Sequence, residues 1–88
     1  MRIDKYLKVA RVIKRRTIAK EVLDGGLILI NGKVAKPSTE VKIGDELILH
    51  LGERTLTIKI SNVMMNSSKK DAGSMFEIIN DEVIKSTF

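Results

Sequence analysis

The 88-residue chain has no cysteine and no tryptophan, one proline, one histidine, and only three aromatic residues, Tyr6, Phe76 and Phe88. Without cysteine there is no disulfide, thiolate nucleophile or cysteine zinc site, which fits a reducing compartment. Three scattered aromatics cannot build a stacking platform for single-stranded nucleic acid. The longest apolar run, Leu27 to Ile30, is far short of the roughly 20 residues that span a bilayer. Arg2, Asp4, Lys5 and Lys8 interrupt any apolar signal segment. The expectation is a cytoplasmic protein with no membrane partner. His50 alternates with leucines in a strand-like stretch and reads as a surface residue, so no metal site is expected. None of the serines sits in a G-x-S-x-G turn, and no G-x-x-x-x-G-K-[ST] loop occurs. Catalysis therefore has no visible carrier, and neither catalytic residues nor a cofactor are expected.

What is present is one small core and a very uneven charge. Hydrophobic residues make up 43% of the chain and charged residues 31%, the balance of a single globular domain. A chain of this length buries roughly 60 to 65% of its unfolded surface, so a deep substrate cavity would compete with the core for the same side chains. The formal net charge is +5. In the first twenty residues, eight basic side chains oppose one acid, Asp4, a local charge of +7; the remainder holds eight basic and ten acidic residues, or −2. Such a concentrated field suits a polyanion, because steering and counterion release depend on local charge density. The acids that would form i,i+4 pairs on an ordinary solvated helix are nearly missing from this stretch.

Ile3, Leu7 and Ala10 recur at helical spacing, with Tyr6 beside them, and predict a short amphipathic helix over residues 2–10. Ile18, Ala19, Val22 and Leu23 predict a second helix from about Arg15 to Asp24, stopped by Gly25-Gly26. A turn is favoured for Arg11 to Lys14. From Leu27 the period changes. Leu27 to Ile30, Asn31-Gly32 and Lys33 to Ala35 read as a hairpin with a type I′ turn. Leu47, Leu49 and Leu51 alternate with Glu46, Ile48 and His50 in the next strand, and Gly52-Glu53 closes a hairpin onto Leu56, Ile58 and Ile60. Asn66 to Ser74 reads as a flexible loop. Met75 to Ile79 fits a last edge strand, and Asp81 to Lys85 either a helical turn or a frayed end. The fold class expected is α+β, with two N-terminal helices on a small, mostly antiparallel sheet and a C-terminal strand or short helical extension. Residues 1–65 are expected to form the polyanion-binding domain, and 66–88 a loop and extension packing on it.

Lys14, Arg15, Arg16, Thr17 and Lys20 cluster at the start of the second helix, where unpaired backbone N–H groups and the helix dipole favour a phosphate. Arg16 suits a bidentate grip and Lys20 a point charge. Thr17 is either a donor or a helix cap. If Leu7 and Leu23 pack the helices together, Lys5, Lys8 and Arg11 extend the patch. No Asn or Gln stands between the basic residues as in a major-groove recognition helix, so structured RNA is favoured over sequence-specific DNA.

Arg2-Ile3-Asp4-x-x-Leu7, Arg16-x-x-Ala19, Gly26, Ile30-Asn31-Gly32-x-Val34, Lys36-Pro37-Ser38, Val41 and Gly44-Asp45 occur in an order and spacing that resembles the S-four RNA-binding domain, also called the αL motif. The likeness spans about residues 1–50. Within that family the chain is most similar to small free-standing bacterial quality-control factors of the ribosome, which are related to the fifteen-kilodalton heat shock proteins. The resemblance implies a monomeric, non-enzymatic factor on the large ribosomal subunit that contacts rRNA and peptidyl-tRNA and supports C-terminal tailing of stalled chains with RqcH. It also implies RNA contacts by Arg2, Asp4, Lys5, Lys8, Arg11, Lys14, Arg15, Arg16, Thr17 and Lys20, with Lys33 in the hairpin a further candidate. One departure is Arg15, where the family often has a serine; this adds charge and removes a usual cap. Asp4 has two readings, stabilising its own helix N-terminus or orienting Arg16. Two other classes compete: a fragment of an RNA-modifying enzyme, for which the rest of the chain offers no catalytic residues, and a membrane-surface helix, which the short stripe without Trp or Phe disfavours.

Overall fold

A computed structural model describes residues 1–63 and 75–83. Two helices, α1 (Ile3–Val9) and α2 (Arg16–Asp24), precede five strands: β1 (Ile28–Ile30), β2 (Lys33–Val34), β3 (Glu46–Leu51), β4 (Arg54–Ile60) and β5 (Phe76–Val83). The strands form one sheet in the order β2-β1-β3-β4-β5, with every neighbouring pair antiparallel. The α+β expectation holds.

Both helices end the same way for the same local reason. In α1 the Arg11 N–H donates to Lys8 O and the Val12 N–H to Leu7 O. In α2 the Gly26 N–H donates to Leu23 O and the Leu27 N–H to Val22 O. Each is a Schellman closure, which needs one residue in the left-handed region. Gly26 supplies it in α2 at φ 72°, and Arg11 supplies it in α1 at φ 59°. The chain between the helices is therefore a turn. The β1–β2 connection has Asn31 at φ 48° and Gly32 at φ 85°, the two positive values a type I′ turn requires. Asn31 also ties this turn to the start of β3: its Nδ2 donates to Asp45 Oδ1 at 3.0 Å, and its Oδ1 accepts from the Glu46 N–H at 3.0 Å.

The core draws on every layer. Ile3, Tyr6 and Leu7 of α1 and Ala19 and Leu23 of α2 are buried together with Ile28, Leu47, Leu49, Leu56, Ile58, Ile60 and Met75. The helical stripe is narrower than its spacing suggests, since Ile18 is exposed and Val22 half-buried. The Tyr6 hydroxyl donates to Met75 O at 2.6 Å, which fixes the residue just before β5 to α1. Burial pushes the Tyr6 phenol well above its ordinary pKa, because the charged form would be stranded in the core.

One expectation changes at the C-terminal side. Residues 81–83, read as a helical turn or frayed end, continue β5: Asp81 pairs with Leu56, Glu82 with Thr55 and Val83 with Arg54. Backbone pairing to β4 overrides the weak local pattern of a polar stretch. A bulge opposite Thr57 and Ile58 leaves Ile79 without a register partner. The flexible loop expected at Asn66 to Ser74 and the end of the chain from residue 84 lie outside the described residues.

Candidate nucleic-acid interface

The site is built where the start of the chain is pinned and α2 begins. Chain entry is held by the 39–41 segment: the Ile3 N–H donates to Thr39 O at 2.7 Å, the Val41 N–H donates to Met1 O at 3.0 Å, and Arg2 bridges Glu40 in antiparallel fashion. The Met1 ammonium also pairs with Glu40 at 3.1 Å. Arg2 is thereby fixed as the N-cap residue of α1, with extended backbone and no side-chain cap.

Asp4, in the first turn of α1, is fully buried. Its Oδ1 accepts the Lys5 N–H at 2.8 Å, so it satisfies one of the donors left open at a helix start. The same carboxylate faces two arginines from different elements. Arg2 Nε lies 3.3 Å from Oδ1, Arg16 Nε 3.4 Å from Oδ2, and Arg16 Nη2 3.4 Å from Oδ1. Both readings of Asp4 thus hold at once. Its burial also means that it acts on a ligand only through Arg2 and Arg16.

These distances are longer than the roughly 2.7 to 2.9 Å of a well-formed charge-assisted bond. Asp4 Oδ2 and Arg16 Nε are buried without an aligned hydrogen bond among the described residues. The carboxylate therefore sets where the two guanidinium groups stand while engaging one Arg16 donor, at Nη2, in a hydrogen bond. A guanidinium carries five N–H groups in a rigid fork. With the Arg2 and Arg16 side chains 47% and 42% exposed, the remaining donors can meet a phosphate.

The other candidates surround this pair. Lys8, Arg11, Lys14, Arg15, Thr17 and Lys20 are exposed, and Lys5 is half-buried. The left-handed turn at Arg11 joins the two helices and carries Lys14 and Arg15 into the start of α2. That helix has Arg15 at its N-cap with no side-chain cap, so its first N–H groups stay available and Thr17 is not the cap. Lys33 is exposed in β2, on the hairpin. The sequence reading assigned no role to Thr39 and Glu40, which anchor Arg2; no local pattern marks them, because their contacts span more than thirty-five residues. Among the described residues no cluster of His, Asp or Glu could hold a metal, and no helix is long and apolar enough to cross a membrane.

Two short helices presenting an almost unopposed cationic surface, docked on an antiparallel sheet, define an RNA-binding module of the αL class. Residues 1–47 match the S4 domain, and the chain belongs to that family. It is 52% identical over 93% of its length to the RQC P-site tRNA stabilizing factor of Listeria monocytogenes, covering 89% of that protein. It is 48% identical to the factor of the same name from Bacillus subtilis, over 93% of this chain and 95% of that one. Among solved structures it resembles heat shock protein 15 of Vibrio cholerae, described as trimeric, with a TM-score of 0.82 and 33% identity over 89% of this chain and 80% of the other.

Proposed function

We propose that this protein is a non-enzymatic RNA-binding factor of ribosome-associated quality control. It binds the large ribosomal subunit as a monomer, touches rRNA and the backbone of P-site peptidyl-tRNA, and holds that tRNA during C-terminal tailing of the stalled chain with RqcH. The observation that carries the reading is the Asp4-centred placement of Arg2 and Arg16 beside the exposed cations of the helix turn. The names of relatives about half identical to this chain support it. The mechanism is positional. Arg2 and Arg16 grip phosphates as forks, the open N–H groups of α2 add directed donors, and Lys8, Arg11, Lys14, Arg15 and Lys20 supply point charges along the backbone.

Equilibrium binding to purified large subunits with and without P-site peptidyl-tRNA tests this reading. With about 4 to 6 phosphates neutralised, the logarithm of affinity falls against the logarithm of salt with a slope of about −3 to −5. Arg16→Ala lowers affinity at least about tenfold with an unchanged circular dichroism spectrum. Unchanged affinity for that variant, or binding indifferent to salt, refutes the assignment. The likeness to heat shock protein 15 favours a second reading, a recycling factor for obstructed large subunits. Deleting the gene separates the two: C-terminal tails on stalled chains disappear under the first and persist under the second.

A further inference from the structure

The two edges of the sheet are built differently. The β2 edge is two residues long and carries Lys33, a short charged edge of the kind that resists further pairing. The β5 edge is eight residues long, roughly 26 Å at the usual rise per residue. It contains no lysine, arginine or proline. Every residue after Phe76 is exposed, including Ile78, Ile79 and Val83, each more than half accessible. Among the described residues no strand pairs with its outer side.

The charge on this strand is opposite in sign to that of the helices. Glu77, Asp81 and Glu82 are its only ionisable residues and all are acidic. Asp81 is engaged from within the sheet by Arg54, at 2.8 Å from Nε and 2.7 Å from Nη2, and Glu82 accepts from Asn80 Nδ2 at 3.1 Å. Glu77 has no such contact to another described residue. An acidic strand repels RNA phosphates, so it does not extend the basic interface. Pairing two copies of β5 would bring like charges together across the new ladder, which disfavours self-association.

We infer that the outer edge of β5 is a docking site for a basic, extended polypeptide segment, which adds to the sheet as a sixth strand. Main-chain hydrogen bonds to the open edge supply the affinity, Ile78, Ile79 and Val83 supply apolar contacts, and Glu77 and Glu82 select lysine- or arginine-bearing partners. With RNA held by the helices and a protein strand held at the far edge, one small domain would bridge an RNA and a protein. The docking site stands independently of which RNA the helices bind.

The test is a titration of the isotopically labelled full chain with a capped eight-residue peptide of alternating lysine and valine, followed by amide chemical shifts. Saturable shifts confined to residues 76–83 are expected, with no response to the same peptide carrying glutamate in place of lysine. The Glu77→Lys, Glu82→Lys double variant binds the lysine peptide about tenfold more weakly, keeps its circular dichroism spectrum and loses no RNA affinity. The proposal is overturned if β5 gives no saturable shift, if the glutamate peptide acts equally well, or if sedimentation shows a self-associated chain that Ile79→Lys dissociates.

Discussion

Replacing Asp4 by Asn separates a positioned RNA grip from a merely cationic surface, because the two predict changes of opposite sign. Asp4→Asn keeps the side-chain volume and an oxygen for the Lys5 N–H, and it raises the formal net charge by one from +5. A diffuse electrostatic surface would therefore bind RNA more tightly. In the structure, however, this carboxylate stands 3.3 to 3.4 Å from both Arg2 and Arg16 and holds two otherwise flexible side chains in place. Ordering a long side chain on binding costs about 0.5 to 1.5 kcal/mol. Both arginines are nearly half exposed, so the lower part of that range applies to each, about 1 to 1.5 kcal/mol for the pair, or roughly tenfold in affinity. The opposing gain from one added charge is at most about fourfold near 0.15 M salt, and smaller for a buried site behind the arginines. Binding to large subunits should thus weaken roughly threefold or more at that salt, and further at 0.3 M, where the charge gain shrinks. Thermal melting of the free variant should fall by about 4 to 8 °C for each kcal/mol lost. Equal or tighter binding at both salt concentrations refutes the positioning role of Asp4.

Tyr6→Phe removes a buried hydroxyl and its hydrogen bond, while Met75 O still accepts from the Ser61 and Asn62 N–H groups at 2.9 and 3.1 Å, so unfolding by urea should show a loss of about 0.5 to 1.5 kcal/mol. Because burial raises the Tyr6 pKa, the unfolded chain releases this proton first; stability is intact below about pH 10 and declines as pH rises beyond it. Alkaline unfolding of Tyr6→Phe should lack that component. At the end of α2, Gly26→Ala should cost about 1 kcal/mol by denaturant titration, since its φ is 72°, whereas Gly25→Ala should be neutral or slightly stabilising because its φ is −74° and an added Cβ meets ordinary contacts. Arg11→Gly relieves the left-handed strain at φ 59° and removes one charge, so the chain should gain about 1 kcal/mol of stability while its salt slope for RNA binding falls by just under one.

The parts of the fold that could be read in the sequence are those decided locally. Periodicity located both helices, and Asn31-Gly32, Gly52-Glu53 and Gly25-Gly26 marked turns because so few residues accept a positive φ. Alternation identified Leu56, Ile58 and Ile60 as the inward face of β4. What stayed illegible depends on distant closure. The burial of Asp4 follows from bringing Arg16 beside it across twelve residues, and Tyr6 finds Met75 across sixty-nine. The length of β5 is set by pairing with β4, which its own polar sequence does not announce. In the candidate site the cations were legible from charge alone, but that one acid organises two of them was visible only as one of two alternatives.

Under the proposed function, the two basic helices place this protein on the large ribosomal subunit. Sedimentation of the tagged chain from a cell lysate through a sucrose gradient, with wild type and Arg16→Ala compared, tests it most directly. The wild type is expected to migrate with large subunits at low salt and to be released as salt rises, while Arg16→Ala stays at the top of the gradient. A wild-type chain that remains at the top, or an Arg16→Ala variant that migrates with large subunits just as the wild type does, contradicts it.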